Sequence, residues 1–334
     1  MEVDKSNFRE TILNSIKQFD ADLEFFNQFD LRRRSFNKVV LCGMGGSALV
    51  GDLFEYFKQH NYLSLIVNLP IFIHRAYDLP PNADANTLII CISYSGDTEE
   101  TLSSFEKAKQ DNLEIAAIAS GGKLVNLCQK NKTPWIKIPT GLQPRASIGY
   151  QLSALIKILM AYGLLNAAAG NELAGLSKKI IPSQIEYEAK ILCPALNRQI
   201  PIIYSSDKNQ VIARIWKIKF NECTKIPAFW NSFPELNHNE MVGWTNAHGP
   251  FHFIFLQDDE DLLQIQKRMK LTAELLKQHG LPVDFIKLAG DNALEKLFFG
   301  ITFGDWFSYH LAIFYGIDPT PVEIVEEFKK RLNE

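Results

Sequence analysis

The sequence predicts an α/β fold of two doubly wound halves, each a parallel sheet covered by helices on both faces. Three observations predict it. Short apolar runs end in turn residues and pass into helical patterns, as Lys38–Cys42 does before Gly43–Ser47 and Thr87–Ser93 before Ser95–Thr98. The same order returns after a helical middle (residues 148–192), with Ile200–Tyr204 before Ser205–Asp207 and Phe251–Leu256 before Gln257–Asp261. At 334 residues and 46% apolar content, the chain is also long enough for two cores.

In chain order, Phe8, Ile12, Ile16, Phe19, Leu23 and Phe26 recur at helical spacing, so residues 5–30 read as an amphipathic lead-in within a helical segment 1–35. The first sheet half, with its helical connection, spans 36–193. It adds the run Leu113–Ala119 before Ser120–Lys123 and the strand-like Trp135–Ile138. Ser153–Gly170 is the most membrane-like stretch. Lys157, Gly163 and Asn166 interrupt it and it is too short to span a bilayer, so it reads as a buried helix and implies no membrane partner. The boundary falls near Leu192–Arg198, around Pro194. The second sheet half, 194–334, ends in a helix, and no low-complexity tract or short repeat is visible.

A formal charge of -3 and a mixed-charge surface exclude a generic nucleic-acid partner, which leaves a basic footprint. The cysteines (Cys42, Cys91, Cys128, Cys193, Cys223) are odd in number and form no CxxC pair. Cys42 and Cys91 lie in apolar runs. With no secretory leader legible in MEVDKSNFRE, a reducing, cytoplasmic setting is expected.

Ligands of open α/β sheets bind beyond the carboxyl ends of the strands, which directs attention to the turns. Gly43-Met44-Gly45-Gly46-Ser47-Ala48 follows Val39–Cys42, and glycines there let backbone amides approach an anion at a helix N-terminus. The pattern also fits the GxGxxA dinucleotide fingerprint. The acid expected at the end of the next strand is absent, because the run Tyr62–Val67 ends in Asn68. The second turn, Ser93-Tyr94-Ser95-Gly96-Asp97-Thr98, places hydroxyls at 93, 95 and 98 where a strand meets a helix. Neutral donors of that kind suit a phosphate dianion. The plainer alternative is a capping box from Asp97 to Glu100, but a cap needs one such group rather than three.

A GxGGS turn followed by SYSGDTEET resembles the sugar isomerase (SIS) fold, a flavodoxin-like α/β architecture. The resemblance implies that Gly46, Ser47, Ser93, Ser95 and Thr98 hold a substrate phosphate. The resemblance leads one to expect asparagine at position 97, and the acid found there should weaken anion binding unless it turns back into its own cap.

Further along, Val211, Ile215 and Ile218 form a helical stripe to which Glu222 returns. A carboxylate on such a stripe is either an ion-pair partner of Lys219 or Lys225, or an acid at the mouth of a site, where partial burial suits a general base. His238, within Pro234-Glu235-Leu236-Asn237-His238-Asn239-Glu240, is a surface histidine, an acid–base group or a metal ligand. The metal alternative would recruit Glu240, His248 and His252, but Gly249 and Pro250 break the helix that an HxxxH pair needs. Arg145, after Pro144, is either solvated or a fixed positive charge for a developing oxyanion.

Together, ECTKIPAFWNSFPELNHNE, PRASIGY and the ending GIDPTPVEIVEEFKKRL resemble the bifunctional phosphoglucose/phosphomannose isomerases, over nearly the whole chain. The resemblance implies an aldose–ketose isomerase acting on a hexose 6-phosphate through a cis-enediolate, without metal or redox cofactor. Glu222 would carry the proton between C1 and C2, and Arg145 would stabilise the enediolate. His238, contributed by the second subunit of a homodimer, would assist ring opening with Lys329; Lys330 is its neighbour and competitor for that role. Thr320–Val322 is the neighbourhood expected to accommodate either configuration at C2, although Thr320-Pro321-Val322-Glu323 also reads as a capping box. The competing reading is a sugar-phosphate sensor with the same cradle and no chemistry. The isomerase half of an amidotransferase would want a glutaminase domain, and a heptose-phosphate isomerase would be a single small domain.

Overall fold

The computed structural model describes residues 3–27, 35–62 and 69–332. The chain divides into two compact units, residues 14–180 and residues 181–334 with 1–13. The leading segment is therefore not one amphipathic helix. It is α1 (Phe8–Leu13), a 3₁₀ turn (Ile16–Asp20) and the two-residue strand β1 (Phe25–Phe26). Its apolar residues are still buried, except the half-buried Phe26. What breaks the helix is tertiary docking. Arg9 of α1 pairs with Glu186 at 2.6 Å and stacks over Trp306 in one unit, while Gln18 donates to the Ala146 carbonyl at 2.7 Å in the other.

Unit 14–180 continues with β2 (Lys38–Cys42), α2 (Gly45–Gln59), β3 (Ile71–His74), β4 (Thr87–Ser93), α3 (Glu99–Gln110), β5 (Glu114–Ala119), α4 (Gly122–Asn131), β6 (Trp135–Lys137), α5 (Ile148–Ala161) and α6 (Ala168–Ala174). Its sheet runs β1-β6-β5-β4-β2-β3, parallel apart from β1. Counted from β2, the parallel strands follow the flavodoxin-like order 2-1-3-4-5. Every residue of β4 and β5 is buried, which is why each reads as an unbroken apolar run rather than an alternating one. The run Tyr62–Val67 lies, beyond Tyr62, outside the described residues. The strand that pairs beside β2 is β3, which ends in His74. The stretch Ser153–Gly170 is not a single helix: α5 stops at Ala161 and Gly163 takes a left-handed φ of 71°. No helix among the described residues is long and apolar enough to cross a membrane.

The other unit adds α7 (Pro182–Leu192), β7 (Ile200–Ser206), α8 (Gln210–Lys219), β8 (Phe229–Phe233), α9 (Glu240–Gly243), β9 (Phe251–Gln257), α10 (Leu263–Gln278), β10 (Val283–Lys287), α11 (Ala293–Phe314) and α12 (Glu323–Leu332). Its parallel strands run β10-β9-β7-β8, again the order 2-1-3-4. The apolar α11 is buried against α7 and α8. Trp216 stacks on Phe303 with centroids 5.6 Å apart, and it can do so because Gly304 is a glycine, whose Cβ would lie 2.6 Å from the indole. Lys219 pairs with Asp305 of α11 inside this core. On the opposite face, Ile202, Tyr204, Phe253 and Phe255 form a second core with α10 and the segment 233–251. The cysteines are all free and buried.

Beyond the carboxyl ends of β7 and β9, Asp258 takes Lys296 at 2.7 Å and Asn209 at 3.3 Å. Asp261 beside them is only 4% exposed. Burial, against the pull of the Ser206 hydroxyl and reinforced by the Asp258 charge, pushes its carboxyl up to about 6. A carboxyl raised on folding is deprotonated first in the unfolded chain, so this group's contribution to stability falls as pH rises through 4 to 6. We expect Asp261→Asn to be more stable than the parent at pH 7.5, by about 1–3 kcal/mol, and the gain to shrink towards pH 4.5. Urea unfolding at the two pH values measures it, and a pH-independent difference would contradict the assignment.

Candidate active site

The strand order makes β2 the point where the chain reverses direction across the sheet, with β3 on one side and β4 on the other. Cys42 and Cys91 are in register, so the turns after β2 and β4 emerge side by side. Gly43 passes the Ile92 carbonyl so closely that a Cβ would lie 2.9 Å from it. Two helix N-termini, those of α2 and α3, open from these turns, and the cap residues Met44 and Thr98 make no side-chain capping bond. Their dipoles make the crevice favourable to an anion.

The predicted hydroxyls converge here. The Ser47 oxygen accepts the Tyr94 amide at 3.2 Å. Ser93 Oγ lies 2.8 Å from Thr98 Oγ1 and accepts the Gly96 amide at 3.0 Å. Ser95, exposed, accepts the Asp97 amide at 3.2 Å. Thr98 is the first residue of the α3 cap, so the Asp97–Glu100 capping box does not form. Asp97 turns instead to the neighbouring helix, where its Oδ1 accepts the Lys123 amide in the first turn of α4 at 3.0 Å.

Arg145 belongs to the same unit and is 2% exposed. Its 3₁₀ turn, Pro144–Ala146, abuts the start of α2: a Cβ on Gly46 would come within 2.9 Å of the Arg145 amide nitrogen. The structure thus brings Gly46, Ser47, Ser93, Ser95, Thr98 and Arg145 together. Tyr94 holds the parts in place, although its sequence position between two serines drew attention only to the serines. Its hydroxyl donates to the Pro139 carbonyl at 3.0 Å and accepts the Leu142 amide at 2.8 Å, and its carbonyl takes the Ser120 hydroxyl at 2.6 Å.

Glu222, His238 and Lys329 lie in the other unit. Glu222 does not continue the α8 stripe. It sits half-buried in a π turn, Phe220–Thr224, where the helix admits an extra residue. Lys219 is committed to Asp305, and the Lys225 ammonium donates to the Glu222 backbone carbonyl. His238 is exposed, at the end of the 3₁₀ turn Glu235–His238. The two are separated by β8. Glu222 precedes its first residue, while His238 follows its last and belongs to a segment packed on the face away from α8. Five strand residues span roughly 16 Å.

Two of the residues that the metal alternative would recruit are bonded elsewhere. His252 is bonded to Asp284 at 2.8 Å, and Glu240 accepts from Tyr204 and Asn231. Lys329 is exposed on α12, whose apolar residues Ile324, Phe328 and Leu332 are exposed as well. That helix begins at Glu323, so Thr320 is not its cap and Pro321 is not its first residue. The Thr320 amide is bonded to Asp318 at 3.0 Å.

Sheet order and cradle together define a double SIS-domain protein. Residues 34–167 match the SIS domain, and residues 185–332 match the family described as the bacterial phospho-glucose isomerase C-terminal SIS domain. A bifunctional phosphoglucose/phosphomannose isomerase of Caldicellulosiruptor bescii is 37% identical over 91% of this chain and 92% of its own length. One of Aquifex aeolicus is 32% identical over 93% and 96%. The chain belongs to the bifunctional phosphoglucose/phosphomannose isomerase family. A solved glucosamine-6-phosphate deaminase of Thermotoga maritima shares the fold, with a TM-score of 0.67 at 15% identity over 95% of this chain and 97% of that one.

The cradle's shape depends on a glycine that no other residue replaces. Gly96 has φ 79°, and a Cβ on it would lie 1.8 Å from the Gly121 carbonyl oxygen. Gly96→Ala should therefore lose about 2 kcal/mol or more in urea unfolding; a loss below about 0.5 kcal/mol, within the range of an ordinary surface change, would refute this close packing.

Proposed function

We propose that this chain interconverts fructose 6-phosphate with glucose 6-phosphate and mannose 6-phosphate through a cis-enediolate. The observation that carries the reading is the hydroxyl cluster between two helix N-termini, in a chain whose relatives are named for that activity over more than nine-tenths of its length. Gly46, Ser47, Ser93, Ser95 and Thr98 hold the phosphate through neutral donors and the two helix dipoles. Arg145, buried and delocalised, faces the charge that develops on O1 and O2. Glu222 takes the proton from one of C1 and C2 and returns it to the other. Such a base contributes roughly 10²–10⁴-fold, and phosphate binding and the arginine supply the remainder. The proton leaves and returns without net redox change, so the chemistry calls for no redox cofactor.

The working unit is a homodimer in the cytoplasm, with His238 of one copy, assisted by Lys329, opening the sugar ring at the Glu222 of the other. Support comes from β8, which keeps Glu222 and His238 of a single chain on different faces and at different ends of one sheet.

Fructose 6-phosphate in D2O should yield both aldose phosphates with deuterium at C2, and Glu222→Gln should lose turnover by about 10²-fold or more while retaining phosphate-ligand binding. Full turnover by that variant, read by coupled assay and NMR, would remove Glu222 from the role. Mixing inactive Glu222→Gln and His238→Ala chains should restore about one quarter of the parental rate, because half of randomly paired dimers carry one intact site. No recovery after subunit exchange would refute the shared site.

A further inference from the structure

Around His238 the backbone is tied down on both sides, although the histidine itself is exposed. Leu236 is fully buried in the sheet core. Asn237 donates to Thr272 of α10 at 2.9 Å and accepts from Arg268 at 3.2 Å. Asn239 bridges Glu235 at 2.7 Å and the Glu240 amide at 2.6 Å. Glu240 makes the firmest attachment. One carboxylate oxygen accepts the Tyr204 hydroxyl and the other the Asn231 amide. Tyr204 and Asn231 are register partners on β7 and β8, so a single side chain clasps two adjacent strands. Trp244 closes the arrangement by donating to the Tyr204 oxygen at 2.8 Å.

We propose that Glu240 is a positioning residue that fixes His238 for ring opening by anchoring the 235–244 segment to Tyr204 and Asn231. The inference rests on the ring-opening role assigned to His238 above. Bonds to an ionised carboxylate are about twice as strong as neutral ones. Burial, and then the Glu240 carboxylate itself, push the Tyr204 phenol up, so it remains a donor across the working pH range. An exposed imidazole acting on a substrate gains most from such an anchor, since a misplacement of about 1 Å can cost 10²-fold in rate.

The test separates ring opening from proton transfer with two substrates. Fructose 6-phosphate must open. 5-Deoxyfructose 6-phosphate lacks O5 and carries phosphate on O6, so it cannot close. Glu240→Gln keeps the side chain's shape and an acceptor for Tyr204, but presents an amide to the Asn231 amide. It should lower kcat on fructose 6-phosphate by about 10–100-fold with KM nearly unchanged, and leave the acyclic substrate at the parental rate. Tyr204→Phe should give the same split, and it stands in should Glu240→Gln fail to fold. His238→Ala is the reference. If it splits the substrates and the Glu240 and Tyr204 variants do not, the positioning role is overturned while the role of His238 stands. If His238→Ala slows both substrates alike, ring opening by His238 falls and the inference with it.

Discussion

The cradle exists because two backbone segments approach more closely than side chains allow. Gly43 runs against the Ile92 carbonyl, and Gly46 against the Pro144–Arg145 backbone. Those contacts bring together the ends of β2 and β4, the starts of α2 and α3 and the backbone turn that carries the buried Arg145. The proposed phosphate site draws on amides, hydroxyls and dipoles already in place, which require little reorganisation when an anion arrives.

The second sheet has the same strand order and uses its reversal point differently. Where the first crevice presents donors, the second is filled by its own ions: Asp258 is held by Lys296 and Asn209, and Glu260 lies 3.1 Å from the same ammonium. A buried pair of this kind is costly to break, since either charge alone would be left in low dielectric. The residues proposed to act from that unit sit elsewhere, Glu222 at a distorted helix end and His238 on a tethered segment after β8. Two sheets of one topology thus present different chemistry in the same turns.

The central strands were legible in the sequence because strands buried on both faces read as continuous apolar runs, and β2, β4, β5, β7 and β9 are such strands. Missed were β3, β8 and β10, each at a sheet edge. Edge strands need bury only part of their surface, so Phe72, Phe229 and Phe285 remain exposed and no clean pattern survives. The hydroxyl cluster was legible because residue type and turn position coincide. The direction of Asp97 was not legible because its partner, the Lys123 amide, lies in the following helix, beyond the reach of any local capping rule. The anchoring by Glu240 was hidden for the same reason: Tyr204 is distant in sequence, and Asn231 looks like a loop residue until β8 is recognised.

The five-residue turn at Phe220–Thr224 has a geometric consequence for the acid it carries. A regular helix offers side chains only at azimuths about 100° apart. One additional residue per loop of the backbone shifts every later position off that lattice. Glu222 therefore leaves the helix along a different bearing from the one a regular continuation of α8 would give it, and removal of a single neighbouring residue would swing the carboxylate round the axis without altering its chemistry. In this protein the direction of the acid is encoded by how many residues precede it in the turn as much as by which residue it is.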